Sequence, residues 1–210
     1  MCKIKRKIIL LMATVALMAA LPSKADDLAI CDVGPSDERA VTACSRIINS
    51  NNVNAHDRAV AFRRRGALRR DKGELKGAID DLDQAVQLNP DDALVLVERG
   101  NAYRILKDYD RAVADLDDAV RRQPDFSSHN IRGAVFLEKG DYDRAISDFN
   151  KAIEFNSTVA GTFYGRGLAY AGKGDLDSAI RNYDEAVRLD RRFVEAFAAQ
   201  GEAYLRSCGH

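Results

Sequence analysis

The most informative part of the sequence is residues 99–120, RGNAYRILKDYDRAVADLDDAV, which returns in altered form at residues 132–153 as RGAVFLEKGDYDRAISDFNKAI. The two segments keep glycine and alanine at fixed positions, while the residues between them vary in size and charge. The pattern continues outward in both directions. Its glycine recurs every 33 or 34 residues, at Gly66, Gly100, Gly133, Gly167 and Gly201. Self-similarity at this period is typical of solenoid proteins.

Each period contains two segments with the spacing of amphipathic helices. In the second period, apolar residues recur at helical intervals from Leu94 to Leu106 and again from Tyr109 to Val120. Glycine followed by an acidic residue, as at Gly140-Asp141, is typical of the turn between two helices. One such hairpin cannot bury its apolar face alone, but stacked hairpins can. We therefore predict an all-α fold, an α-solenoid of antiparallel helix pairs.

The glycine, the aromatic residue three positions later in most periods, and the spaced alanines resemble the tetratricopeptide repeat. The resemblance covers four repeats and a further first helix that would cap the C-terminal end; these lie at 59–92, 93–125, 126–159, 160–193 and 194–210. It implies a superhelix whose concave face is lined by the first helices. Arginine precedes the glycine in the first four periods, a variant similar to exported bacterial members of the family.

The N-terminal segment has the three parts of a secretory signal peptide. Four basic residues between Lys3 and Lys7 precede an apolar run from Ile8 to Leu21, and small residues at Ser23 and Ala25 allow cleavage before Asp26. The run is short for a membrane-spanning helix of about 20 residues. We expect residues 1–25 to be a cleaved signal peptide, with no stable membrane insertion afterwards and a periplasmic or secreted protein. An uncleaved anchor is the alternative.

Export changes the interpretation of the cysteines. Cys31 and Cys44 lie in residues 26–58, which we predict to form a degenerate helical cap in front of the first repeat. In an oxidising compartment the two form a plausible disulfide, although two buried thiols would also fit. Cys208 is left as an odd thiol.

Composition and charge exclude several function classes. The full chain is neutral, with 32 basic and 32 acidic side chains, and the segment after residue 25 keeps 27 of the basic ones and all the acidic ones. Such an acidic chain is not expected to bind nucleic acid. None of the three histidines is spaced with cysteine or carboxylates as in a metal site, and we identify no catalytic constellation. We therefore expect no cofactor, no metal and no enzymatic activity.

Arginine before the repeat glycine recurs together with an aspartate in the second helix of the first three repeats. A ladder of arginines, that is, a row of side chains that bind anions from outside the protein, would explain this recurrence. An arginine–aspartate pair between helices explains it too, and we favour that interpretation because a residue present in every repeat usually serves the stack.

The family resemblance also implies which first-helix positions face the concave groove. They include the six candidate peptide-binding residues Arg63, Arg70, Asn101, Arg104, Asn130 and Tyr164. Asparagine can both donate to and accept from a peptide backbone, and arginine can bind a carboxylate through two hydrogen bonds. Alternatively, these side chains only solvate the inner surface. The family's carboxylate-clamp pattern is not reproduced, because Ala67 occupies a position where it needs asparagine.

These observations predict a non-catalytic, exported scaffold that binds a partner protein or an extended peptide on its concave face. The alternatives are an accessory subunit of an enzyme and a module that binds glycan or cell wall. The low aromatic content of 7% weighs against sugar binding. Self-association through the last helix is possible, since that helix has no second half.

Overall fold

The computed structural model describes residues 23–33 and 38–208. These ranges form eleven α-helices and no strand. The helices are α1 (Lys24–Val33), α2 (Glu38–Asn49), α3 (Ala55–Asp71), α4 (Leu75–Leu88), α5 (Ala93–Ile105), α6 (Tyr109–Arg122), α7 (Phe126–Lys139), α8 (Tyr142–Phe155), α9 (Ala160–Gly172), α10 (Leu176–Leu189) and α11 (Val194–Cys208). The predicted all-α solenoid is confirmed.

Consecutive helices pack as hairpins, and the hairpins pack in a row. The tightest pairs are α3 with α4, α5 with α6, α7 with α8, and α9 with α10. First helices also contact the first helix of the next repeat, whereas no comparable contact joins consecutive second helices in the described ranges. Because the row is tighter on the first-helix side, it bends with α3, α5, α7 and α9 on its inner face.

The turns within the hairpins follow from a few residues. Gly73, Gly140 and Gly174 have φ values of 80°, 77° and 84°, a left-handed conformation that ends a helix at little cost for glycine. After Gly140 and Gly174, the next helix is capped by Asp141 or Asp175, whose side chain accepts a hydrogen bond from a backbone N–H group in the first turn. The helix after Gly73 follows Glu74, whose side chain makes no such hydrogen bond.

Glycine is required where the two helices of a hairpin cross. A Cβ atom on Gly100 would lie 2.8 Å from the Cγ atom of Leu116, and one on Gly167 would lie 2.5 Å from the Tyr183 ring. Leu116 and Tyr183 are almost fully buried. The small residue on the first helix therefore makes room for a large apolar side chain on the second, and this contact recurs in each repeat.

The predicted N-terminal cap is a helix pair. The structure joins Cys31 on α1 to Cys44 on α2 through a disulfide whose Cα atoms are 4.9 Å apart. Both half-cystines pack in one apolar cluster with Ile47 and with Ala61 of α3. Helix α3 begins at Ala55, four residues before the predicted start of the first repeat, and the Asn54 side chain caps it by accepting a hydrogen bond from the Asp57 N–H group at 2.7 Å.

The structure describes little of the predicted signal peptide, whereas it describes the last helix up to Cys208. Most of the predicted signal peptide, residues 1–22, lies outside the described residues, and Ser23 immediately precedes α1. No helix within the described ranges combines the length and the apolar character needed to cross a membrane. At the other end, α11 packs on α10 and exposes four large apolar side chains: Val194, Phe197, Tyr204 and Leu205.

Candidate functional site

In the first three repeats, the arginine that precedes the repeat glycine binds a carboxylate on the second helix of its own repeat. The Arg99 guanidinium donates to both oxygens of Asp115, from Nε at 2.8 Å and from Nη2 at 2.7 Å. The equivalent pairs are Arg65 with Asp81 and Arg132 with Asp148. The predicted interhelical pairing is confirmed for these three repeats, so their arginines are not a ladder for external anions.

Two of these arginines also bind a carboxylate of the preceding repeat. Arg99 donates from Nη1 to Asp83 at 2.8 Å, and Arg132 donates from Nη1 to Asp117 at 2.8 Å. The hydrogen bond to the aspartate of its own repeat raises the pKa of each arginine above its ordinary value, while partial burial opposes the rise. Each guanidinium therefore joins its first helix to two second helices.

The fourth repeat departs from this arrangement. Arg166 donates from Nε to Asn182 at 2.7 Å and from Nη1 to Asn150 at 2.6 Å, so amides replace both carboxylates. Burial lowers the pKa of Arg166, in contrast to Arg99 and Arg132. In the part of the chain that the structure describes, no carboxylate forms an ion pair with Arg166.

The six residues predicted to face the groove all lie on first helices and are half-buried. Arg63 and Arg70 lie on α3, Asn101 and Arg104 on α5, Asn130 on α7 and Tyr164 on α9. Their order along the row places the positive charges in the first two repeats, amides in the middle, and an aromatic ring in the fourth repeat.

Two of the groove arginines are neutralised within the row. Arg70 forms ion pairs with Glu98 on α5 and with Asp71, and Arg104 forms one with Glu138 on α7. Glu98 and Glu138 are not among the six candidate residues. Glu138 lies 34 residues after Arg104, so the repeat register could have suggested that pair, whereas Glu98 lies 28 residues after Arg70. A partner's carboxylate would have to compete with these acids.

Arg63 has a different environment. Its Nε atom is buried and has no hydrogen-bond acceptor among the described residues. In contrast to Arg70 and Arg104, Arg63 forms no ion pair with a described residue. Arg63 is therefore the candidate groove arginine whose binding capacity remains unused.

The middle and the far end of the groove are less charged. Asn101 accepts a hydrogen bond from Arg104 at 3.1 Å, and Asn130 accepts one from the Thr162 hydroxyl at 2.9 Å. The Tyr164 ring centroid lies 5.0 Å from that of Phe193, and burial raises the pKa of Tyr164. Along the row, the six candidate residues thus pass from arginines, through amides, to an aromatic ring.

The described residues hold no group of three or more histidine, cysteine or acidic side chains arranged to bind a metal ion. His129 is buried in α7, where its Nδ1 atom lies 3.0 Å from Asp148 and its ring stacks on Phe155. This histidine is part of the contact between α7 and α8.

Three family models match the sequence over adjoining ranges. Models described as tetratricopeptide repeat match residues 98–160 and 160–193, and one described as TPR repeat matches residues 66–104. Together they span residues 66–193. The chain belongs to the tetratricopeptide repeat family. The predicted resemblance to this family is confirmed. A search of curated proteins finds no match.

Solved structures of tetratricopeptide proteins are similar to this chain. MamA from Desulfovibrio magneticus RS-1 is 26% identical with a TM-score of 0.67, over 75% of this chain and 89% of MamA. YrrB, described as a TPR protein with an unusual peptide-binding site, is 20% identical with a TM-score of 0.63, over 82% of this chain and 85% of YrrB. A tetratricopeptide protein from Parabacteroides merdae ATCC 43184 is 18% identical with a TM-score of 0.68, over 86% of this chain and 70% of that protein.

Proposed function

We propose that this protein is a non-catalytic scaffold that binds an extended segment of a partner polypeptide along the inner face of its first helices. The observation that carries the proposal is that Arg63, unlike Arg70 and Arg104, has no ion pair with a described residue. An acidic side chain of the partner would bind its guanidinium group. The amides of Asn101 and Asn130 would bind its backbone, and apolar side chains would pack near Tyr164.

Two of the similar structures belong to tetratricopeptide proteins that are described as binding a peptide, which supports the proposal. YrrB is described as having an unusual peptide-binding site, and the first TPR domain of Spaghetti is described as bound to an HSP90 peptide. The Spaghetti domain is 24% identical with a TM-score of 0.54. Because Ala67 departs from the carboxylate-clamp pattern, we propose an internal acidic side chain as the group that binds Arg63, and not the end of a chain.

We further propose that the protein acts in the periplasm or outside the cell. The signal-peptide pattern of residues 1–25 supports this location. The disulfide between Cys31 and Cys44 supports it too, since such bonds persist in oxidising compartments. Sequencing the N-terminus of the protein extracted from its native cells tests the location: a chain that begins at Asp26 is expected, and one that retains residues 1–25 in the cytoplasm would contradict it.

Site-specific photo-crosslinking in the native cells tests the groove. A photoreactive residue replaces Leu94, which is 44% exposed on the inner-face helix α5, and the control replaces Gln84, which is exposed on the second helix α4. We expect a defined polypeptide to be crosslinked from position 94 and not from position 84. Equal crosslinking from both positions, or crosslinking only to glycan, would contradict the proposal.

Charge reversal then tests the role of Arg63. We expect Arg63→Glu to abolish the crosslink from position 94 because it removes the donor and repels an acidic segment. Arg191→Glu, an exposed arginine in the turn before α11, is the matched control and should retain it. Arg104 is a poorer test, since a glutamate there would face Glu138 and disturb the row itself.

A further inference from the structure

We propose that the pocket between α9 and α10 in the fourth repeat is a binding site for a carboxylate group, carried either by a small organic acid or by an acidic side chain of a polypeptide. The pocket has a volume of about 400 Å³ and is lined by residues that include Arg166, Tyr170, Ser178, Arg181, Asn182 and Glu185. It contains none of the six groove residues, so this site does not depend on the proposed function.

The pairing of Arg166 is incomplete in comparison with the equivalent arginines. In the first three repeats, the Nη2 atom of the equivalent arginine donates to a carboxylate oxygen at 2.7 Å. In the fourth repeat, Asn182 uses its oxygen for Nε of Arg166 and donates its amide to the Ser178 carbonyl at 2.8 Å. Nη2 of Arg166 therefore has no acceptor among the described residues. A bound carboxylate would supply the oxygen that the other repeats provide themselves.

The charge of the neighbouring residue also differs in the fourth repeat. The position before the repeat aspartate is Asp80, Ala114 or Ser147 in the first three repeats and Arg181 in the fourth. The same repeat thus loses an acid at Asn182 and gains a base beside it. Glu185 is held by two hydrogen bonds from Arg188, at 2.7 and 2.5 Å, which compensate its charge. The remaining charges of the lining, on Arg166 and Arg181, favour an anion.

The pocket is open because a long side chain that covers the same space in two other repeats is replaced by serine in the fourth. In the second and third repeats, an arginine of the second helix covers the aromatic ring of the first: Arg111 lies 4.4 Å from the centroid of Tyr103, and Arg144 lies 4.4 Å from that of Phe136. The equivalent residue in the fourth repeat is Ser178, beside Tyr170. The shorter side chain leaves the space that forms the pocket, and it adds a hydroxyl that already accepts a hydrogen bond from Arg181 at 2.8 Å.

A calorimetric titration at low ionic strength tests the site with the folded, disulfide-bonded protein. Sodium glutarate serves as the small acid and acetyl-Gly-Glu-Gly-amide as the peptide, and their neutral counterparts are glutaramide and acetyl-Gly-Gln-Gly-amide. The Nε–H signal of Arg166 in nuclear magnetic resonance spectra locates the binding. We expect the carboxylates to bind at least about tenfold more tightly than the neutral probes, since they form charge-assisted hydrogen bonds, and to shift that signal.

The variant Asn182→Asp gives Arg166 the aspartate of the other repeats, so it should fold normally and bind the carboxylate probes at least about tenfold more weakly. Ser178→Arg fills the pocket as in the second and third repeats and should have the same effect. Asn156→Asp, with the same change of charge outside the pocket, is the control that should still bind.

Tighter binding of glutarate than of the peptide would identify a small acid as the ligand, and the reverse would identify an acidic side chain. If neither carboxylate shifts the Arg166 signal, if the neutral probes bind equally, or if Asn182→Asp binds as the unchanged protein does, the proposal is wrong.

Discussion

The guanidinium of Arg132 binds both carboxylate oxygens of Asp148, through Nε at 2.8 Å and Nη2 at 2.7 Å. Asp148 is 4% exposed and also lies within hydrogen-bond distance of the buried His129. Replacing Asp148 with alanine would leave a partly buried cation without its main partner. Loss of one member of a buried ion pair costs about 3–5 kcal/mol. We expect Asp148→Ala to lose about 3 kcal/mol of unfolding free energy in urea denaturation.

Asp117 provides the comparison within the same cluster. It binds Nη1 of Arg132 at 2.8 Å, but its side chain is 52% exposed. Exposed ion pairs contribute about 0–1 kcal/mol, so we expect Asp117→Ala to lose less than about 1 kcal/mol. Equal losses for Asp117→Ala and Asp148→Ala would show that burial of the aspartate does not determine the strength of the pair.

The helix pairs were predictable because their causes are local and recur. The glycine at the helix crossing, such as Gly100, recurs in all four repeats, and the glycine that ends the first helix, such as Gly140, recurs in three of them, with Lys107 at this position in the second. The pairing of Arg132 with Asp148 follows from the same register. The contacts of Arg70 with Glu98 and of Arg104 with Glu138 were not predicted. Both partners lie in the next repeat, and nothing near either arginine in the sequence distinguishes a paired arginine from an unpaired one such as Arg63.

The disulfide between Cys31 and Cys44 should stabilise the N-terminal helix pair against unfolding. It closes a loop of about 14 residues, which the chain-entropy model values at roughly 3 kcal/mol. We expect Cys44→Ala to lower the free energy of unfolding by about that amount, and the loss should concern α1 and α2 because the bond joins only these helices. Hydrogen exchange of the amides in α1 measures the local effect, with those of α10 as the control.

The intact mass of the exported protein tests whether this bond exists in its own compartment. The chain from Asp26 onward contains Cys31, Cys44 and Cys208. Alkylation without reduction should add one group, at Cys208, and alkylation after reduction should add three. Three added groups without reduction would show that the disulfide is absent.

Tyr183 should make stability depend on pH in the alkaline range. Its side chain is almost fully buried against α9, and burial raises its pKa to about 12, with smaller contributions from Tyr164 and Glu202. An unfolded tyrosine ionises near about pH 10. The stabilisation is therefore complete below the unfolded value and is lost as the pH rises from about 10 to about 12. We expect the unfolding free energy to fall across this interval.

Replacement of this phenol tests its role in the alkaline loss. Tyr183→Phe keeps the packed ring and removes the ionisable group, so its unfolding free energy should fall less over the same interval. Tyr204→Phe changes a tyrosine that is 47% exposed on α11 and should behave as the unchanged protein does. If all three proteins lose the same free energy, another group is responsible for the alkaline loss.

Two repeat glycines should respond in opposite ways to the same substitution. A Cβ atom on Gly167 would lie 2.5 Å from the Tyr183 ring, whereas one on Gly201 would have no atom within 4 Å. We expect Gly167→Ala to lose about 1–3 kcal/mol of unfolding free energy, the usual cost of overpacking. Gly201→Ala should gain up to about 1 kcal/mol, because alanine restricts the unfolded chain and favours α11. Urea denaturation of both variants measures the difference. A loss at Gly201 comparable to that at Gly167 would mean that a second helix, or another chain, occupies the open face of α11 in solution.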